Sequence, residues 1–329
     1  MEALMELQVV NREKVMGLRD SQKVKRLPFI EANTKEVTLN HLKRDCTIPV
    51  FAKDNEVTIS HYEFIESMQH CVNSLFKTHL SSPPEIRVSH MIKGRTPEAI
   101  RKSVNELLPN EKTIYYERCA FIIEIPSIIE TVAGNSLSLT VGGVRAYNQE
   151  NLYSKKTIEK FKVFIGFKNS VCTNLCISTD GFSDELRVGS ITELQEKMYA
   201  LFSSYNIKNH SEKFRALENQ FLTERQFAQL LGKARLYNHL PNKTKDSLPL
   251  LSFNDGQLNA VARDYYEDES FCRDKDGNIN LWNVYNLFTG ANKSSYIDSF
   301  LDRNVNAYTF TNSVSEALKG NRDYHWFLS

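Results

Sequence analysis

Phe161-Lys162-Val163-Phe164-Ile165-Gly166-Phe167-Lys168 is the stretch that decides the fold. Phe161, Val163, Ile165 and Phe167 recur at every second position, with Lys162 and Lys168 among the positions between them. Successive residues of a strand point to opposite faces, so the spacing predicts a strand with one apolar and one polar face. That is the pattern of an antiparallel sheet solvated on one side. Ser136 to Tyr147 repeats it through Leu137, Leu139 and Val141, and Gly142-Gly143 reads as a bulge. Thr113 to Pro126 contains Ile114, Tyr115, Tyr116 and Phe121-Ile122-Ile123, and Ile86 to Ile92 reads as one further strand. Leu175 to Thr179, a turn at Asp180-Gly181, and Leu186 to Val188 predict a hairpin.

Helical signals flank this sheet. Ser60 with Glu63 forms a capping box ahead of Phe64, Ile65, Met68, Val72, Leu75 and Phe76 at helical spacing. Thr96-Pro97 reads as the start of a helix running to about Leu108. After Gly189 every signal is helical. Ser190 with Glu193, Thr223 with Gln226 and Asn254 with Gln257 each open an apolar stripe. Leu281 to Thr289, Tyr296 to Leu301 and Val314 to Leu318 follow, the last closed by Gly320. Residues 2–19 read as an amphipathic helix, Lys23 to Arg26 as a solvated connector, and 46–59 as extended chain turning at Asp54-Asn55. The expected fold is therefore α+β: a central, largely antiparallel sheet with flanking helices, then an all-helical C-terminal region. Its expected divisions are 1–82, packing on the sheet; 83–189, the sheet-rich core; and 190–329, the helical region.

The 329 residues are 41% apolar and 25% charged, ordinary for a globular chain. The formal net charge of +1 excludes a polycation, so a nucleic-acid face would have to be local. No apolar run reaches the ~18 residues of a membrane span. The acidic opening Met1-Glu2-Ala3-Leu4-Met5-Glu6 is unlike a secretion signal. A cytoplasmic location without membrane contact is expected. The six cysteines are expected as thiols. Cys172 and Cys176 lack the second pair or histidines of a zinc site, and no metal or cofactor is expected. Asp274-Lys275-Asp276-Gly277-Asn278 has its glycine too early for a calcium loop and reads as a turn.

Between Ile86 and Lys168, 13 Lys or Arg stand against 8 acids, interleaved with aromatic residues that include Tyr115, Tyr153 and Phe164. Cations neutralise phosphates and rings stack on bases, which is what single-strand binding requires. The candidate contacts are Arg87, Lys93, Arg95, Arg118, Arg145, Lys162 and Lys168 for phosphates, and Tyr115, Tyr116 and Tyr147 for bases. If Ile86 to Ile92 continues as one strand, Arg87, Ser89, Met91 and Lys93 share a face. A second candidate is a polar site of Asn286, Asn292, Lys293 and Tyr296 around a helix break at Gly290; capping by Asn280, Ser294 or Ser295 explains the same residues. No catalytic arrangement or nucleotide-binding motif stands out, and the chain reads as non-enzymatic.

Several stretches carry a resemblance. They are Val88-Ser89-His90-Met91-Ile92-Lys93-Gly94-Arg95, Tyr115-Tyr116-Glu117-Arg118, Gly143-Val144-Arg145-Ala146-Tyr147-Asn148, Gly166 to Asn174, and Gly290 to Arg303. Together they resemble a family of uncharacterised Bacteroidota mobile-element proteins, domain of unknown function 3871, from about residue 25 onward. Val171-Cys172-Thr173-Asn174 and Tyr285-Asn286-Leu287-Phe288-Thr289 are also similar to phage- and plasmid-like proteins of unknown function. The resemblance implies a mobile element or prophage setting and supplies no activity. Three functions follow as expectations: an accessory protein binding single-stranded nucleic acid through a basic sheet surface; a modulator or assembly factor binding a host or element-encoded protein; or an enzyme with an unfamiliar site near Gly290.

Overall fold

The computed structural model describes residues 27–46, 58–99, 101–147 and 158–329. The expected helix at 2–19, the connector at 23–26, most of the extended stretch 46–59, and Tyr153 lie outside these residues. A seven-stranded antiparallel sheet is the centre of the α+β fold. Its order is β1 (Lys35–Glu36), β2 (Glu85–Val88), β5 (Arg118–Val132), β6 (Asn135–Ala146), β7 (Glu159–Asn169) and β8 (Leu175–Cys176), and β9 (Phe182–Val188) also pairs with β7. Two strands outside this sheet, β3 (Met91–Arg95) and β4 (Lys112–Tyr116), pair with each other. β10 (Phe221–Leu222) and β11 (Ile279–Asn280) make a second small ladder.

The helices are α1 (Leu39–Arg44), α2 (His61–Leu75), α3 (Ile191–Ser204), α4 (Ile207–Glu218), α5 (Glu224–Asn238), α6 (Asn242–Lys245), α7 (Asp255–Glu267), α8 (Leu281–Asn292) and α9 (Ile297–Leu318). The capping boxes at Ser60/Glu63, Thr223/Gln226 and Asn254/Gln257 form as the sequence indicates. Each closes two otherwise unpaired N–H groups of its helix start. Gly320, at φ +94°, ends α9 in the left-handed region that favours glycine. Asp274 Oδ1 accepts from the N–H groups of Asp276 and Asn278, closing the expected Asp-Gly turn.

The sheet is not solvated on one side. One face, with Phe121, Val141, Phe161, Ile165 and Phe167, joins a large core filled by α2, α3, α4 and the C-terminal helices. The positions between them also carry Ala120, Ile122, Val144 and Phe164, which pack against Phe29, Ile30, Ile297, Phe300 and Leu301. The start of α9 and residues 29–30 therefore cover the second face. Period two registered the lysines of β7 and passed over Phe164 between them.

Other expectations are corrected by local chemistry. Ile86 to Ile92 breaks at Ser89-His90 into β2 and β3, so Arg87 and Lys93 belong to different sheets. Ser89 closes the break: its N–H donates to the Arg118 carbonyl, and its hydroxyl accepts from the Arg118 N–H. The helix expected over 96–108 is a run of single 3₁₀ turns at 97–99, 104–106 and 109–111. Glu106 and Glu111 each fold back onto the backbone N–H three residues earlier, capping one turn at a time. Val104 and Leu108 are exposed and so do not anchor a longer helix on the fold.

Gly142 and Gly143 are regular members of β6, and the register shift lies between Ile125 and Ile129. The two glycines admit close neighbours: a Cβ at Gly143 would meet the Phe64 ring and the Lys162 carbonyl. β8 and β9 pair with β7, not with each other. The segments Tyr296 to Leu301 and Val314 to Leu318 are two ends of α9, and α8 runs through Gly290 without a break. Asn280 caps α8, whereas Tyr296, rather than Ser294 or Ser295, occupies the cap of α9.

Candidate nucleic-acid interface

β3 and β4 pair Met91 with Tyr116, Lys93 with Ile114, and Arg95 with Lys112. Directly opposed residues share a face, so Lys93, Arg95 and Lys112 stand in one row beside Met91 and Ile114. Ile92 and Tyr115 share the other face. Between residues 91 and 116 five cations stand against three acids. Among the described residues no carboxylate pairs with Lys93, Lys112 or Arg101, while Lys102 pairs with Glu111 and Arg95 donates to the Lys102 carbonyl. Lys112 and Arg101 were not singled out from the sequence. Lys112 belongs to the row only through the register of a hairpin whose strands are joined by 16 residues, which composition does not reveal.

Tyr116 shares the face of this row but is buried, and the other candidates on the sheet lie apart from it. Arg145 is buried over the rings of Tyr147 and Phe161, at 4.7 and 4.4 Å. It donates to the Ile59 carbonyl and to Glu159 Oε2 at 2.5 Å. Tyr147 is buried against the His61 ring, with centroids 4.4 Å apart, and the Tyr115 ring lies 6.4 Å away. His61 binds the Tyr116 carbonyl at 2.8 Å. Burial, with the charge of Arg145 second, holds its imidazole down at about 3. Arg145, Tyr147, Phe161 and Glu159 are thus an internal brace of cation, rings and carboxylate, and Tyr116 is buried beside it, its hydroxyl 3.0 Å from His41 Nε2. A buried guanidinium needs such a partner, which is why it is turned inward.

The cations expected on the sheet surface are engaged there. Lys162 donates to the Asp298 carbonyl at 2.9 Å and to the Asp302 carboxylate. Arg118 lies 3.6 Å from both Glu117 and Asp298. Lys168 is buried 3.0 Å from Glu124. Arg87 donates to the hydroxyl and carbonyl of Thr34. α9 brings Asp298 and Asp302 onto the sheet and neutralises the strip that the sequence reads as basic.

The polar residues around Gly290 separate. Asn286, Asn292 and Lys293 are buried and Tyr296 is 67% exposed. The Asn286 amide donates to the Trp282 carbonyl, and its own carbonyl oxygens accept from Asn174 and Asn169. Asn292 donates to the Phe300 carbonyl and accepts from Ser295. Lys293 Nζ donates to the Cys172 carbonyl and the Thr173 hydroxyl, and burial lowers its ammonium below the usual lysine range. These groups clasp the β7–β8 loop to the α8–α9 junction. Among the described residues no group of three or more His, Cys, Asp or Glu is placed to hold a metal, and no helix is long and apolar enough to cross a membrane. All six cysteines are free.

Fold and row together define an α+β protein with a sheet covered on both faces and a separate, locally basic hairpin. The chain belongs to the family described as a domain of unknown function from B. theta, DUF3871, whose model matches residues 11–328. No curated protein and no solved structure matches it.

Proposed function

We propose that the protein binds single-stranded nucleic acid through the β3–β4 hairpin, as an accessory protein of a mobile element or prophage. The observation that carries this reading is the row Lys93, Arg95 and Lys112, in which neither lysine has a carboxylate partner among the described residues. A cation already paired within the protein gains little by meeting a phosphate, so unpaired ones supply the affinity. Tyr115, half-buried on the other face of the hairpin, is the ring best placed to stack. The mobile-element setting rests on the family resemblance.

The test is an anisotropy titration with a labelled single-stranded oligonucleotide and its duplex, at several salt concentrations. Three to four engaged cations predict a slope of log affinity against log salt of roughly −2 to −3. The pair Lys93→Glu and Lys112→Glu should abolish binding, and Lys168→Gln should leave it nearly unchanged. Salt-insensitive binding, or none at low salt, sinks the reading. The exposed Val104 and Leu108 on the hairpin's connection would then favour a partner protein. Recovery of one stoichiometric protein after nuclease treatment is the result expected of that alternative.

A further inference from the structure

We propose that Cys46 is a nucleophile that accepts an acyl group from an activated ester or thioester, with His41 as its base and Asp45 as the residue that positions the base. The three residues come from one short stretch. Thr38 caps α1 by accepting from the His41 N–H at 3.2 Å, which sets His41 in the first turn. Asp45 is the residue after the helix, and Cys46 follows, pinned by a parallel bridge to Ile114 of β4. His41 Nδ1 lies 2.7 Å from Asp45 Oδ2. A carboxylate accepts there, so Nδ1 carries the proton and Nε2 presents its lone pair. Cys46 Sγ lies 3.9 Å from that nitrogen, and the Tyr116 hydroxyl 3.0 Å from it. A nucleophile beside a base that a third group orients is the geometry of activated nucleophiles.

The environment of each thiol separates Cys46 from the other five. Cys71, Cys119 and Cys176 are buried, and the half-buried Cys172 faces the Asn286 carbonyl oxygen at 3.9 Å. Cys272 is half-buried with no imidazole among its described partners. Burial, then the charge of Asp45, pushes the Cys46 thiol up to about 11, so it rests protonated. A protonated thiol reacts only as its proton leaves, and His41 is placed to take it. The proton passes to Nε2 as the sulfur electron pair forms the bond to the acyl carbon. The tetrahedral oxyanion then collapses and the bond to the leaving oxygen or sulfur breaks. Nε2 returns the proton to that leaving group, giving S-acyl Cys46 and an alcohol or thiol. Tyr116 donates to the same lone pair in the resting state and must release it for this step.

The full chain would be treated with para-nitrophenyl acetate, following nitrophenolate release and mapping acetylated cysteines by peptide mass. Cys46 should acetylate roughly tenfold or more faster than Cys272 and Cys172, and Cys46→Ser should remove the fast phase. His41→Gln should slow Cys46 by a similar factor, and Tyr116→Phe, which frees Nε2, should quicken it. Acetylation of Cys46 no faster than Cys272 overturns the proposal, as does an unchanged rate in a folded His41→Gln variant. Should that variant not fold, Asp45→Asn serves in its place, and an unchanged rate is equally fatal.

Discussion

His61 and His210 are both held as neutral imidazoles inside the molecule, His61 under Tyr147 and His210 among Phe167, Tyr205 and Phe214. Burial is the main cause in each, and both sit near 3 against an ordinary value of 6.5. A folded-state value below the unfolded one means that the unfolded chain binds more protons between the two. Stability is therefore full above pH 6.5 and falls as pH drops from 6.5 toward 3, by up to about 1.4 kcal/mol per pH unit for each histidine. Melting temperature measured from pH 7 to pH 4 should show this decline. His61→Gln, whose amide can still reach the Tyr116 carbonyl, should flatten it, and an equally steep curve in that variant would exclude His61 as a source. Arg145 shows why such residues are illegible in sequence: its charge, spacing and aromatic neighbours suit phosphate binding and an internal brace equally. The position of Glu159, on a strand that pairs with both β6 and β9, separates the two.

Among the elements, those whose signal is local were readable. α2, α5 and α7 carry cap and stripe within one short window. α4 was missed, although its Asn206 cap accepts from the Asn209 N–H, because its apolar face is sparse. The β3–β4 hairpin was missed because its connection resembles a helix start. β6 carries the clearest element-level prediction. Gly143→Ala would drive a methyl between the Phe64 ring and the Lys162 carbonyl, at a cost of about 1–3 kcal/mol. Gly232→Ala, in α5 with nothing near the added methyl, should instead be neutral or stabilise by up to about 1 kcal/mol. Urea denaturation of the two variants checks both signs. Equal stability would mean that β6 and α2 can separate without loss.

At the scale of the whole molecule, α+β class and antiparallel pairing were legible, since both rest on periodicity. The double covering of the sheet was not. It depends on Ile297, Phe300 and Leu301, which pack onto residues more than 100 positions earlier in the chain. The same long separation hides Asp298 and Asp302 from any reading of the basic strip. A chain ending at residue 296 should therefore collect in the insoluble fraction on expression, whereas one lacking only 321–329 should lose much less solubility. Comparable solubility of the 1–296 chain would contradict a structural role for that covering. The arrangement also bears on biosynthesis. A ribosome releases the sheet strands more than 100 residues before α9, so Ala120, Ile122, Val144 and Phe164 wait for the α9 part of their cover until that helix emerges. The nascent protein is expected to spend that interval in the care of chaperones and to complete this face only once α9 has left the ribosome.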